Sequence, residues 1–428
     1  MKTLKGFKQF MVGTGLPWWV FALVLIFAPV IFNKGASLSI LSYMGIMIIF
    51  GLSFNMLLGQ GGMLSFGHAV YAGLGAFFAV HAMNLAGNNT IPIPVTLIPL
   101  VGGFAGLFFG MVFGYVTTKK SGTTFAMITL GICELVHSSS LMFPGFFGGE
   151  GGITTNRVIG APFHGISFGP QIQVYYLIAF WLLVSAIAMY AYTQTPLGKM
   201  INAVRDNPER AEFVGYNTQW VRYLTLAISA FFAGISGGLS AINVEIVSAE
   251  NVSLTLSANV LLFTFIGGSG YFFGPVIGAV IGVLLTVVLS DYTKAWQLYL
   301  GLFFIFSVMC LPGGVAHCLM QNIRLIRYRQ FVKVWRLLII VLAFALLALC
   351  GFAAIIEMLY HRNFEADGTT GFKFFFWQLD TASPIAWIAA GMVLVIGLAG
   401  VRFLRTNMQS IWSNANLEIE RLIQGERV

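Results

Sequence analysis

Apolar residues gather in about twelve long runs, separated by short polar, proline-containing or glycine-rich breaks. The runs cover residues 16–32, 38–58, 69–83, 94–116, 125–143, 174–192, 223–244, 254–266, 274–289, 298–311, 337–359 and 385–404. A helix of roughly 20 residues at about 1.5 Å per residue matches about 30 Å of hydrocarbon. The pattern therefore predicts an all-α, polytopic transmembrane helix bundle of about 12 spans, of which 254–266 is short.

Composition sharpens this reading. Hydrophobic residues make up 58% of the 428 residues and charged residues 9%, against about 45–50% and about 25% in soluble domains. A water-soluble core has no room for so much apolar side chain. Lys and Arg accumulate on the cytoplasmic side of short loops, and an inside N-terminus leaves only Lys34, Arg157, Lys294, Arg362 and Lys373 of the 23 Lys and Arg residues outside. Both termini are thus expected in the cytoplasm, and the net charge of +8 is explained without nucleic acid. The first run follows Lys2, Lys5 and Lys8, but no small-residue cleavage site precedes residue 38, so an uncleaved first span is expected. Cys133, Cys310 and Cys350 sit in apolar runs, Cys318 follows one, and no CxxC pair occurs, so free thiols are expected.

The polar breaks carry the candidate chemistry. Between residues 193 and 220 the sequence RDNPERAEFVGYN specifies a short charged helix of about two turns outside the membrane. Asn207 suits the N-cap, Pro208 the first helical position, Glu209 and Glu212 the positive end of the dipole, and Gly215 the close. Ala211, Phe213 and Val214 are its apolar contribution. Such a helix is either a loop ornament or a docking element. Glycine-rich stretches at 59–76 and 267–279 each end an inward-going run and open an outward-going one, as in a parallel structural repeat. Gly102, Gly106, Gly110 and Gly114 recur every four residues and offer a face for close helix packing, including packing by a partner.

Ionisable groups inside spans are costly and mark functional candidates. Glu134, with His137 one turn later, is the clearest, and His68 adjoins the first glycine-rich break. Asn55, Ser65 and Asn259 are further candidates for a translocation path, while Glu245 and Glu250 fall where a span reaches the outer face. The chain contains no GxxxxGK[ST] or HExxH pattern, and no nucleotide, metal or catalytic site is expected on it. Any ATP would be bound by another chain.

Three segments together, LSFGHAVYAGLGA at 64–76, DNPERAEFVGYN at 206–217 and GGSGYFFGPVIGAVIG at 267–282, resemble the permease subunits of bacterial ABC importers for branched-chain amino acids, the M-type subunit above all. The resemblance covers roughly residues 16–314. It implies a multi-pass protein of the bacterial inner membrane that works with a second homologous permease, two cytoplasmic ATPase subunits that bind ATP and Mg, and a periplasmic substrate-binding protein. It also implies an ATPase-coupling role for Arg205, Asp206, Asn207, Pro208, Glu209, Arg210, Glu212 and Gly215. The implied cargo is branched-chain amino acids or related small polar solutes such as amides, urea and small carboxylates. Two other readings stay open: an autonomous ion-coupled transporter that uses Glu134, and a channel-like or structural subunit.

The likeness stops near residue 314, so residues 1–314 are read as a permease core and 315–428 as an addition. The addition comprises a basic linker with Arg324, Arg327, Arg329 and Lys333, two further spans and a tail, LEIERLIQGERV. Leu417, Ile419, Leu422 and Ile423 give the tail the pattern of an amphipathic helix against the membrane surface or an ATPase.

Overall fold

The computed structural model describes residues 16–88, 93–158, 167–311, 313–328, 330–364, 371–374, 377–380 and 383–425. Lys2, Lys5, Lys8, Arg329 and Arg427, used above to argue orientation, lie outside the described residues. Nearly everything described is helix. The order is α1 (Leu16–Ile31), α2 (Gly35–Asn55), α3 (His68–Gly87), α4 (Ile98–Thr117), α5 (Gly122–Met142), α6 (Gln171–Gln194), α7 (Pro196–Asp206), α8 (Pro208–Phe213) and α9 (Thr218–Val244). There follow α10 (Leu254–Gly267), α11 (Gly274–Val283), α12 (Trp296–Cys310), α13 (Gly314–Arg327), α14 (Phe331–Phe364) and α15 (Pro384–Gly425). Two small antiparallel sheets pair β1 (Ile153–Thr154) with β2 (Ile246–Val247), and β3 (Gly371–Phe374) with β4 (Trp377–Asp380).

All the predicted apolar runs fall on these helices, and the all-α polytopic class holds. Nine helices among the described residues are long and apolar enough to cross a bilayer. The shortfall from twelve has identifiable causes. α1 and α10 have only 16 and 14 residues, and α12 qualifies only together with α13 across the break at Leu311–Gly314.

The described residues form two compact units, one of 16–288 with Leu300–His317, the other of Leu289–Tyr299 with 318–425. In the first, the core is built on α2, α3 and α9, where Phe50, Phe54, Tyr71 and Phe77 are fully enclosed. The glycine stripe on α4 is used up inside this unit. A Cβ on Gly102 would stand 2.5 Å from the Gly234 carbonyl, one on Gly106 2.9 Å from Gly234 Cα, and one on Gly110 2.5 Å from Ala230 Cβ. The face read from sequence as open to a partner is therefore the seam between α4 and α9. Gly106→Val should force these helices apart, at a cost of about 1–3 kcal/mol or more. Gly131→Val, where a Cβ meets nothing within 4 Å, should be neutral to folding. Size-exclusion profiles of the two variants in detergent check this, and a monodisperse Gly106→Val peak of wild-type height would contradict it.

In the second unit α14 and α15 run antiparallel, seated on small residues: a Cβ on Gly397 would lie 2.7 Å from Ala348 Cα, and one on Gly351 2.9 Å from the Ala390 carbonyl. Tyr299 Oη donates to Glu357 Oε1 at 2.9 Å. The tail differs from expectation, because α15 runs unbroken for 42 residues from the last span to Gly425. Ile419 and Ala415 pack within the unit with Leu325 and Val334, flanked by Met408, Ile411 and Trp412, whereas Leu417 is exposed.

Candidate functional site

The helix read from RDNPERAEFVGYN is present and closed at both ends by local chemistry. Asn207 Oδ1 accepts the Arg210 N–H at 2.9 Å, with Pro208 at the first helical position and Glu209 in the first turn. At the other end Gly215, at φ +92°, donates to Glu212 O at 2.8 Å and Tyr216 N donates to Ala211 O at 3.1 Å. These paired bonds form a Schellman close, which needs a left-handed residue. Glu212 Oε1 also accepts from Thr218 Oγ1 at 2.8 Å, tying α8 to the start of α9. The three apolar residues divide: Ala211 is buried, whereas Phe213 is 91% and Val214 69% exposed. Asn207, Glu209 and Arg210 are exposed as well.

α7 connects this helix to the membrane core. Thr195 caps it by accepting Gly198 N–H at 3.1 Å, and Ile201 and Val204 are buried on its inner side. On that side Asn202 Nδ2 donates to Gln60 Oε1 at 2.8 Å, and Arg205 Nη1 donates to the Gly59 carbonyl. Arg205 is held from its other edge by Asp206, with Nη2 2.9 Å from Oδ1. Gly59 and Gln60 belong to a π-helical turn, Met56–Gln60, that ends α2. Such a turn leaves the regular i→i−4 ladder and turns carbonyls outward.

The first glycine break rests on the second, more than 200 residues away in sequence. A Cβ on Gly59 would collide with the Ser269 carbonyl, and Asn55 Nδ2 donates to Tyr271 O at 3.4 Å. Tyr271 Oη and His317 Nδ1 are hydrogen-bonded at 2.8 Å, and burial pushes the Tyr271 phenol above its ordinary pKa. Gly268 (φ +104°) and Gly314 (φ +73°) approach so closely that a Cβ on Gly314 would stand 2.5 Å from Gly268 Cα. A continuous set of contacts thus runs from α8 through α7 to both glycine breaks. Sequence reasoning missed Gln60, Asn202, Tyr271 and His317. The only local signal was the three-residue spacing of Asn202 and Arg205, which puts both on one face of α7.

The five path candidates do not form one group. Asn55, Ser65 and His68 are fully buried around the first break. Ser53 Oγ gives its single hydrogen to Phe50 O (2.7 Å), so His68 Nε2–H is the donor in the 2.9 Å bond between them. The imidazole lies between Phe50, stacked at 5.4 Å, and the edges of Phe54 and Tyr71. His68 Nδ1, Ser65 Oγ and Asn55 Oδ1 have no hydrogen-bond partner among the described residues. Gly67 has no side chain with which to cap α3, so other helices supply the acceptors: Ser257 Oγ takes Ala69 N–H at 3.0 Å and Thr129 Oγ1 takes Phe66 N–H at 3.1 Å. Glu134 is exposed on α5 beside Met127, Leu135 and Ser138, while His137 turns inward to Ala249 O at 3.1 Å. Asn259 is half-buried on α10.

At the other end of the first unit Glu245, in a left-handed conformation at φ +60°, accepts the Arg157 N–H at 2.9 Å. The Arg157 guanidinium donates to Gly169 O and Asn243 O. Glu245 is therefore part of a loop clamp, whereas Glu250 is exposed.

Residues 36–311 match the family described as branched-chain amino acid transport system, permease component. The chain is 26% identical to the high-affinity branched-chain amino acid transport system permease LivM of Escherichia coli K12 over 294 residues, 63% of this chain and 67% of that protein. It is 24% identical to a probable LivM of Methanocaldococcus jannaschii over 296 residues, covering 61% and 84%. It is 28% identical to the galactofuranose transporter permease YtfT of Escherichia coli K12 over 264 residues, covering 59% and 69%. No solved structure matches. The matched region contains the capped helix, both glycine breaks and the residues that join them, and the chain belongs to the branched-chain amino acid permease family, as a multi-pass inner-membrane permease of an ABC transporter.

Proposed function

We propose that this chain is one permease subunit of an ATP-driven importer whose cargo is branched-chain amino acids or chemically related small polar solutes. In this reading a second homologous permease completes the path, two cytoplasmic ATPase subunits hydrolyse MgATP, and a periplasmic binding protein delivers the cargo. The observation that carries the reading is the connection from α8 to the Gly59 carbonyl through Arg205. An exposed helix with fixed ends can receive a push, and a charge-assisted bond to the π-helical end of a span can pass it to the membrane core. Arg205, Asp206, Asn207, Pro208, Glu209, Arg210, Glu212 and Gly215 act as the coupling residues, with Phe213 added as the apolar contact that α8 presents.

Glu134 lines the path on this reading. A carboxylate at a span's centre costs about 2.5–3.5 kcal/mol when lipid covers it, so water or the second permease faces α5 there. Asn55, Ser65 and His68 serve the path from within, by holding the first break. Glu134→Gln keeps shape and hydrogen bonding but removes charge, and should lower uptake about tenfold with assembly intact. Uptake equal to wild type at several pH values would make the carboxyl structural. The whole reading is tested by isolating the complex from native membranes, identifying the co-purifying subunits, and following ATP-dependent uptake of labelled leucine and of urea in proteoliposomes. Uptake driven by an ion gradient without ATP would replace it with the ion-coupled reading.

A further inference from the structure

Residues 318–425 of the second unit lie beyond the family match and carry an unbalanced charge. Between Asp291 and Glu357, and again between Asp380 and Glu418, the sequence has no acidic residue, yet these stretches hold Arg324, Arg327, Arg329, Lys333, Arg336, Arg402 and Arg405. Among the described residues no carboxylate is within ion-pair distance of Arg324, Arg336, Arg402 or Arg405. The antiparallel register, with Gly400 against Phe344 and Gly397 against Ala348, places Arg402 and Arg405 roughly 6–10 Å from the level of Arg336 along the hairpin. Leu325 and Val334 pack with Ala415 and Ile419, so the end of α13 with Arg324 and the start of α14 with Arg336 are both held against the second half of α15.

Their surroundings set the height at which they act. Arg336 lies over the Trp335 ring at 5.8 Å, and the apolar run of α14 starts immediately after it, with Ile339 and Ile340 exposed. Arg402 is followed by Phe403, which is 80% exposed. Exposed guanidinium groups beside exposed aromatic and aliphatic side chains occur where hydrocarbon meets headgroups, with the arginine stem in the apolar layer and its fork reaching outward. A guanidinium fork matches phosphate oxygens bidentately.

We propose that the arginine end of the α14–α15 hairpin, with Arg336, Arg402 and Arg405 at its centre, binds the phosphate headgroups of anionic phospholipids. Charge complementarity selects the occupant, since anionic membrane surfaces attract basic residues next to spans. A soluble acidic partner does not reach arginines flanked by Phe403 and Ile339. Free phosphate lacks the acyl chains that the exposed apolar flanks would cover.

The test uses the full chain in a neutral detergent, titrated with phosphatidylglycerol or phosphatidylcholine and read by native mass spectrometry and Trp fluorescence. Wild type should retain phosphatidylglycerol at least tenfold more tightly than phosphatidylcholine, with the preference lost at high salt. Arg336→Gln/Arg402→Gln/Arg405→Gln should lose the preference, and Lys119→Gln/Lys120→Gln, at another loop, should keep it. If the glutamine triple variant fails to fold, the corresponding triple lysine variant and the salt series decide: retained preference with salt sensitivity supports the proposal, and a salt-independent preference overturns it. Equal retention of both lipids by wild type, an unchanged preference in the folded glutamine variant, or full displacement by inorganic phosphate also overturns it.

Discussion

Phe213→Asp is expected to abolish capture of the ATPase subunits, by roughly 30-fold or more in apparent affinity. Phe213 projects from a helix of only six residues and is 91% exposed. An aromatic side chain left in water inside a stable secreted or membrane protein is a candidate anchor, and burying it in a cleft contributes about 2–3 kcal/mol. Aspartate removes that apolar surface and puts a charge at the position that docking by Phe213 requires to be apolar. Glu209→Lys changes an exposed rim charge and should weaken docking only a few-fold, with stronger dependence on salt. Membrane insertion should survive both changes, because α8 lies outside every span. Co-purification of the ATPase with each variant is the measurement. Wild-type recovery with Phe213→Asp would leave α8 without a docking role.

Arg205→Met should have the opposite signature, with ATPase docking retained and uptake lowered tenfold or more per ATP hydrolysed. The guanidinium joins α7 to the Gly59 carbonyl in the π-helical turn, and its stem packs on Gly62, where a Cβ would stand 2.8 Å from Arg205 Cγ. Methionine keeps most of the stem but removes the charge-assisted bond, which contributes about 1.5–3 kcal/mol. If α7 is the lever between α8 and the π-helical end of α2, hydrolysis should continue without moving the first glycine break. Proteoliposomes that report hydrolysis and uptake together separate this from loss of docking. A variant in which both rates fall in parallel would assign Arg205 to docking instead.

The features legible in the sequence are those whose causes are local. Asn207 caps a residue three positions on, and Gly215 closes a helix whose partner carbonyls lie within five positions, so both follow from residue type and spacing. The same holds for the apolar runs, since a helix satisfies its own backbone hydrogen bonds inside a bilayer. What only the tertiary structure decided depends on which helices become neighbours. Four-residue spacing put Gly102, Gly106, Gly110 and Gly114 on one face, but that this face meets Gly234 on α9 and not another protein rests on a contact across more than 100 residues. The meeting of Gly59 with Ser269, the bond from Asn55 to Tyr271, and the burial of His68 against the exposure of Glu134 are of the same kind. So is the fate of the tail: periodicity marked Ile419 as apolar, but the helix to which it belongs and the residues it packs against were set by the antiparallel return of α15 along α14. Sequence periodicity names a face, and only the packed bundle determines what covers it.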